Sequence, residues 1–193
     1  LRTDNQIYLN LDVFTVMKKR VAILKGGDSV EREVSLSTGQ SCSKALIRLG
    51  YNVKSIDTKE NFIDELIKFK PDVVFNALHG RYGEDGIIQG FLESLKIPYT
   101  HSGVQASSIA MDKNLAKICF KEAGIPVVEH IILDESFSLK NIPFKLPYVI
   151  KPLAGGSSVD VKILKNANDW QPIKNSGNIN KKYLVEPYIP GRE

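Results

Sequence analysis

Short apolar runs alternate with amphipathic stretches over the first hundred or so residues. Residues 20–27 read RVAILKGG, an apolar run that ends in two glycines, and residues 31–50 then have helical character. The alternation continues with a strand at 51–57, a helix at 61–69, an apolar strand at 72–78, a helix at 87–95 and a short strand at 97–100. Strands and helices joined in this way by short links are typical of a parallel sheet covered on both faces. We therefore predict a small, Rossmann-like α/β unit.

The first predicted helix ends at Gly50, which is suited to the position after a helix. Part of the apolar face of this helix is expected from Val34, Ala45, Leu46 and Leu49. That face would pack against the sheet.

The pattern changes after residue 103. Two helical stretches at 107–112 and 113–123 precede strands at 127–133, 147–152 and 161–165 and a last apolar segment in KYLVEPYIPGRE. Strands that pair through loops indicate a second unit of α+β type. The predicted division is an upstream extension at 1–16 (with an extra edge strand as the alternative), an α/β unit at 17–112 and a second unit at 113–193.

Composition changes this picture little. Hydrophobic residues make up 42% and charged residues 25% of the chain, close to globular averages. The net charge of +4 is spread along the chain, which favours neither nucleic acid nor an anionic membrane as a partner. Cys42 and Cys119 are isolated thiols, and no apolar run approaches the roughly 18 residues of a membrane span. We expect a cytoplasmic protein.

Two polar loops follow predicted strands of the first unit. The stretch 26–35, GGDSVEREVS, carries Glu31 and Glu33, which either complement a helix dipole, with Ser29 or Asp28 as the cap, or hold a ligand ammonium group. The stretch 79–86, HGRYGEDG, is either an exposed turn or part of the same site. Because both loops leave the carboxyl edge of the sheet, we expect them to converge. Neither loop has the spacing of a dinucleotide or zinc motif.

Residues 149–160, VIKPLAGGSSVD, are either a hairpin turn or a loop that closes over a phosphate. A hairpin would use the two glycines, Gly155 and Gly156, and would leave Lys151 and the serines without a role. A phosphate loop uses all of them, because backbone N–H groups and hydroxyls donate hydrogen bonds while the lysine supplies charge.

Four stretches in this order resemble the D-alanine–D-alanine ligases of the ATP-grasp superfamily. They are GGDSVEREVSLSTG, ALHGRYGEDGIIQGFLESLKIPYTHSGVQASSIAMDK, IKPLAGGSSV and VEPYIPGRE. The resemblance extends from about Arg20 to Glu193 and implies that the second unit begins an ATP-grasp domain. It also implies ATP-dependent ligation of two D-alanines for peptidoglycan, through an acyl phosphate, and a phosphate-binding role for the loop at 149–160.

The resemblance further implies roles for individual residues. Glu31 would hold the ammonium group of the first D-alanine, with His79 in the same subsite, and Ser157 would steady Glu31. The expected ATP contacts are Lys113, Lys151, Gly156, Ser157, Ser158, Glu186, Pro187, Tyr188, Ile189 and Glu193. In this set the lysines and the Gly156–Ser158 loop would bind phosphates, Glu186 and the three residues after it the adenine, and Glu193 the ribose.

Some features depart from the family pattern. Asp160 stands where the family usually has a glycine, and Ala154 and Gly155 lack the charge often found before the loop. The family continues well beyond the GRE motif, so the chain is expected to be an amino-terminal portion, with the ligands of Mg²⁺ or Mn²⁺ beyond residue 193. A homodimer is implied as well. The alternatives are an inactive remnant that binds nucleotide weakly or not at all, and a ligase with another second substrate such as D-lactate.

Overall fold

The computed structural model describes residues 19–134, 142–166, 169 and 182–192. The predicted extension at 1–16 and the predicted ribose ligand Glu193 lie outside the described residues. The helices are Arg32–Arg48 (α1), Phe62–Phe69 (α2), Ile87–Ser94 (α3), Val104–Met111 (α4) and Lys113–Glu122 (α5). The strands are Arg20–Lys25 (β1), Asn52–Asp57 (β2), Val73–Asn76 (β3), Ile131–Leu133 (β4), Tyr148–Pro152 (β5), Lys162–Leu164 (β6) and Tyr183–Pro187 (β7). Among these helices, none is long and apolar enough to cross a membrane.

The first sheet is parallel and has the strand order β2-β1-β3. This arrangement confirms the predicted α/β unit. The predicted strand at 97–100 is reduced to a single parallel bridge between Val74 and Tyr99. Because the strand order reverses between β1 and β3, the loops that follow these two strands lie beside a switch point of the sheet.

One face of this sheet carries the larger apolar core. Ala22 and Leu24 alternate along β1 and pack with Leu66 of α2 and Leu92 of α3, all at most 1% exposed. Phe62 and Phe91 add an edge-to-face ring contact at the rim, with ring centroids 5.6 Å apart. These residues come from the strand predicted at 20–27 and from the helices predicted at 61–69 and 87–95.

The helix α1 differs from its predicted apolar face. Val34 and Leu49 are 54% and 73% exposed, so the prediction is wrong for both residues. The buried residues of α1 are Ser35 and Gly39. A Cβ atom at position 39 would lie 2.7 Å from the side chain of Lys25, which shows how closely the helix approaches β1. Small residues allow that approach, whereas the larger apolar side chains stay outside.

The hydroxyl of Ser35 links the ends of β1 and β3. It accepts a hydrogen bond from the N–H of Gly26 at 2.8 Å and donates one to the carbonyl of Ala77 at 2.7 Å. Ser35 is fully buried, so both bonds are shielded from water. The two loops are thereby fixed next to each other.

A two-pronged ion pair holds the start of α1 against the end of β2. The two terminal nitrogens of Arg32 donate to the two oxygens of Asp57 at 2.9 and 2.6 Å, and one of them also donates to the carbonyl of Gly27 at 3.0 Å. The hydrogen bond from Arg32 lowers the pKa of Asp57 to about 2. Through Arg32, this pair also anchors the loop that contains Glu31.

The second sheet is antiparallel, with the strand order β4-β7-β5-β6. Its core cluster consists of Tyr148, Ile150, Leu164, Tyr183 and Val185, and Leu184 of β7 is fully buried as well. The predicted strand at 127–133 is shorter than expected, since only Ile131–Leu133 pairs with β7. The helix predicted at 107–112 begins earlier, at Val104. The antiparallel sheet agrees with a second unit of α+β type, and the boundary near 112 stays a prediction.

The Arg32–Asp57 pair predicts a pH dependence of stability. The folded pKa of Asp57 lies below its unfolded value of roughly 3.9, so the contribution is fully present above about pH 4 and is lost as the pH falls through about 2. We expect Asp57→Asn to lower the free energy of unfolding at pH 7 by about 2 kcal/mol. Urea titrations from pH 7 to 2 measure this loss, and the variant curve should converge on the original at the acid end. Glu60→Gln, at an exposed acid nearby, is the control and should change neither the free energy of unfolding at pH 7 nor its dependence on pH.

Candidate functional site

The loops after β1 and β3 enclose a cavity of about 320 Å³. Its lining includes Gly27, Ser29, Leu78, His79, Tyr82 and Phe91. Nε2 of His79 lies 3.4 Å from the hydroxyl of Thr38, and Nδ1 lies 3.9 Å from a carboxylate oxygen of Glu84. The two polar loops that the sequence placed at one sheet edge thus line a common cavity, with His79 in its wall.

Glu31 lies immediately before α1, at the N-cap position of this helix. Its side chain makes no capping hydrogen bond, and neither Ser29 nor Asp28 is the cap residue. The backbone N–H of Glu31 instead donates to the hydroxyl of Ser29 at 3.2 Å. The carboxylate is therefore directed away from the helix end, where it accepts a hydrogen bond from the hydroxyl of Ser157. This contact joins loops of the two sheets.

Gly80 provides the space beside the Glu31 carboxylate. Its φ is +68°, a left-handed conformation that glycine adopts without steric cost. A Cβ atom at this position would lie 2.9 Å from Oε2 of Glu31. A larger residue at position 80 would displace the carboxylate.

The loop between β5 and β6 has an unusual backbone. Three of its residues other than glycine have left-handed φ values: Ser157 at +51°, Ser158 at +56° and Asp160 at +58°. Each such residue costs on the order of 1 kcal/mol relative to its ordinary conformation. The N–H of Val159 donates to the carbonyl of Gly156 at 3.1 Å, and the N–H of Val161 donates to the carbonyl of Ser158 at 3.2 Å, so the loop is built from successive tight turns.

Lys113 contacts the same loop from α5. The carboxylate of Asp112 caps this helix by accepting hydrogen bonds from the N–H groups of Asn114 and Leu115 at 2.9 and 3.0 Å. The ammonium group of Lys113 donates to the carbonyl of Gly155 at 2.7 Å. Burial, and then the charge of Lys151, lower the pKa of Lys113. A nearby anion would favour the charged form.

Glu186 on β7 is paired with two lysines. Lys151 of β5 donates to Oε1 and Lys117 of α5 donates to Oε2, both at 2.5 Å. The Glu186 side chain is only 13% exposed. Burial alone would raise its pKa, but the hydrogen bonds from Lys117 and Lys151 outweigh burial and hold the pKa below its usual value. Glu186 is thus an ionised carboxylate in a mostly buried, positively charged cluster.

The residues after Glu186 leave the sheet. Pro187 is the last residue of β7, and Tyr188 donates its N–H to the carbonyl of Pro147 at 3.1 Å. Tyr188 and Ile189 are 37% and 64% exposed. Their adenine-binding role stays a prediction, as do the other assigned roles. Over the part of the chain that the structure describes, no group of three or more His, Cys, Asp or Glu residues is arranged to hold a metal ion.

Comparison with known proteins gives consistent matches. Residues 57–102 match a family model described as the D-ala D-ala ligase N-terminus. The D-alanine–D-alanine ligase of Parvibaculum lavamentivorans is 48% identical over 178 residues, which cover 91% of this chain and 58% of that protein. The corresponding ligase of Cereibacter sphaeroides is 51% identical over 176 residues, with coverages of 90% and 56%. The chain belongs to the D-alanine–D-alanine ligase family.

Solved structures of the family agree with this assignment. The ligase of Bacillus anthracis matches with a TM-score of 0.72 and 34% identity, over 90% of this chain and 58% of that one. The ligase of Coxiella burnetii matches with a TM-score of 0.74 and 28% identity, over 91% and 65%. A further match is the Bacillus anthracis ligase complexed with ATP. The chain spans somewhat more than half the length of the family members it matches, and it corresponds to their amino-terminal portion.

Lys117 is the residue of the cluster that sequence analysis missed. It lies in an amphipathic helix among other lysines, and its pairing with Glu186 joins positions 69 apart. Nothing in its spacing distinguishes it from exposed Lys121, one turn later. The only sequence signal is its place four residues after Lys113, on the same side of the helix.

Asp160 has a left-handed backbone conformation. A φ of +58° is readily adopted by glycine and is tolerated by aspartate better than by most residues. Asp160 therefore retains the turn that the loop requires. The effect of its charge on a bound phosphate stays a prediction.

The space beside Glu31 predicts a specific cost at Gly80. Gly80→Ala is expected to lower the free energy of unfolding by about 2 kcal/mol, half from the left-handed φ and half from crowding the Glu31 carboxylate. Gly124→Ala is the matched control, because Gly124 has a φ of +74° and no atom within 4 Å of its would-be Cβ. It should lose only about 1 kcal/mol.

Chemical unfolding of a double mutant isolates the contact. In a Glu31→Ala background, Gly80→Ala should cost no more than Gly124→Ala, because the carboxylate is gone. Equal costs with and without Glu31 would mean that Gly80 does not shape the position of this carboxylate.

Proposed function

We propose that the chain provides the first D-alanine subsite and much of the ATP phosphate site of an ATP-dependent D-alanine–D-alanine ligase. The observation that carries the proposal is the hydrogen bond from Ser157 to Glu31. It supports a site in which a carboxylate suited to an ammonium group lies beside a loop suited to a phosphate. A ligase that phosphorylates an amino acid needs these two features next to each other.

The proposed reaction has two steps. A carboxylate oxygen of the first D-alanine attacks the γ-phosphorus of ATP, the bond to ADP breaks, and an acyl phosphate forms. The neutral amine of a second D-alanine then forms the C–N bond, inorganic phosphate leaves with the electron pair of the C–O bond, and the amine proton passes to solvent. Both steps depend mainly on positioning and charge neutralisation.

The chain's own residues divide this work. Glu31 binds the ammonium group, His79 borders the same subsite, and Ser157 orients Glu31 through its hydroxyl. Lys113 donates a hydrogen bond to the carbonyl of Gly155 in the loop between β5 and β6, and Lys151 lies on the strand that leads into this loop. Both lysines are therefore placed to meet phosphate oxygens. Because Lys113 has a lowered pKa when no anion is bound, phosphate binding would stabilise its ammonium form.

The adenine and the remaining partners are part of the proposal. Glu186, Pro187, Tyr188 and Ile189 would surround the adenine, as the family resemblance implies. Mg²⁺ or Mn²⁺ would neutralise the phosphates, and no group of three or more His, Cys, Asp or Glu among the described residues is arranged to hold it. The proposal also includes peptidoglycan synthesis in the cytoplasm and a homodimer.

Ligation is tested in a chimera in which the 193-residue chain is followed by the remaining carboxyl-terminal part of the Parvibaculum ligase. With ATP, Mg²⁺ and D-alanine, the chimera should form D-alanyl-D-alanine and ADP in equal amounts. A folded chimera that forms no D-alanyl-D-alanine would contradict the proposal.

The Glu31 role predicts a selective kinetic defect. In the active chimera, Glu31→Gln should raise the KM for the first D-alanine by about 10- to 100-fold, because a neutral amide binds an ammonium group less strongly. The KM for ATP should change by less than about 3-fold. Glu33→Gln, an exposed acid on the first turn of the same helix, is the control and should leave both constants unchanged. A loss confined to ATP would show that Glu31 does not anchor D-alanine.

A further inference from the structure

Lys117 is bound from two sides within the second unit. Its ammonium group donates to the carbonyl of Val128 at 2.8 Å and to Oε2 of Glu186 at 2.5 Å. The side chain is only 14% exposed. Two of the three N–H donors of its ammonium group are used by these bonds, which hold the side chain in one place.

Lys151 meets the same carboxylate on its other oxygen, at 2.5 Å. In the proposed function this lysine also binds an ATP phosphate, and we expect its ammonium group to turn away from Glu186 as it meets the phosphate. Without a second partner, Glu186 would then be a mostly buried carboxylate with no cation hydrogen-bonded to it, which is unfavourable. The Lys117 bond removes that difficulty, because it leaves Glu186 paired when Lys151 departs.

We infer that Lys117 is a positioning residue that keeps Glu186 paired and in place while Lys151 turns from Glu186 to a phosphate. The inference rests on the proposed ATP site. Lys117 itself stays with Val128 and touches no substrate. The cluster therefore separates two tasks, since one lysine is fixed and neutralises the carboxylate, whereas the other is available for phosphate.

This arrangement makes the effect of Lys117 specific for phosphate. When a ligand has no phosphate, Lys151 stays on Glu186 and the loss of Lys117 costs the binding step little. When a ligand carries phosphates, the removal of Lys117 weakens the binding affinity, because Glu186 loses its remaining partner as Lys151 turns to the phosphate. The carboxylate left behind would then take up a proton, because the other titratable groups near it, His130 and Lys113, are not hydrogen-bonded to it in the structure.

The experiment measures Kd by calorimetry for ATP, inorganic tripolyphosphate and adenosine, using the 193-residue chain. Lys117→Met should weaken ATP and tripolyphosphate by about 10- to 100-fold at pH 8 and adenosine by less than about 3-fold. The deficit for ATP relative to the original chain should narrow as the pH is lowered from 8 to 6, and buffers of different ionisation enthalpy should reveal proton uptake on binding by the variant. Lys121→Met, at the exposed lysine one turn later, should behave like the original chain.

A double mutant provides the second test. In a Glu186→Gln background no carboxylate needs a partner, so Lys117→Met should no longer weaken tripolyphosphate. If Lys117→Met does not fold, as judged by adenosine binding and circular dichroism, Lys117→Gln replaces it, because its amide can still donate to the Val128 carbonyl. An equal loss for adenosine and tripolyphosphate, or no loss for either, would overturn the inference.

The same data separate this inference from the proposed function. If the original chain binds neither ATP nor tripolyphosphate, the proposed ATP site is wrong. If it binds both and Lys117→Met leaves tripolyphosphate affinity unchanged, only the role of Lys117 is wrong.

Discussion

The hydroxyl of Ser35, buried between the carboxyl ends of two strands, fixes the relative position of the two loops that line the cavity. By accepting from Gly26 and donating to Ala77, it fixes the loop that carries Glu31 against the loop that carries His79. A single small side chain satisfies two backbone groups that would otherwise be buried without partners. Because α1 approaches the sheet through Ser35 and Gly39, Glu31, the residue just before this helix, lies close enough to contact the loop between β5 and β6.

The alternation of strands and helices was predictable because the period of apolar residues is a local property of the chain. The convergence of the loops at 26–35 and 79–86 also followed, since parallel strands end at one edge. The face of α1 was not predictable, because close packing there selects small residues over apolar ones. The bridge at Tyr99 was too short to be distinguished from a strand by composition alone.

The charged cluster shows the same limit more sharply. Lys151 was identified from the loop that follows it and Glu186 and Lys113 were assigned roles through the resemblance to a family, whereas Lys117 was not identified at all. Its significance depends on contacts with Val128 and Glu186 that only the folded chain creates. On a helix surface a lysine is ordinary, whereas in a mostly buried position beside a carboxylate it determines how charge is shared. Long-range electrostatics of this kind leaves no periodic trace in a sequence.

The bond between Ser157 and Glu31 connects positions 126 apart in the chain. Contacts between such distant residues carry a large loop-closure entropy, so they form late in folding, after local structure has repaid part of that cost. We therefore expect the carboxylate of Glu31 and the loop between β5 and β6 to come together in one of the last steps of folding, after the two sheets have formed. A mutation in the core of either sheet would therefore weaken the contact between Ser157 and Glu31, although the mutated residue touches neither of them.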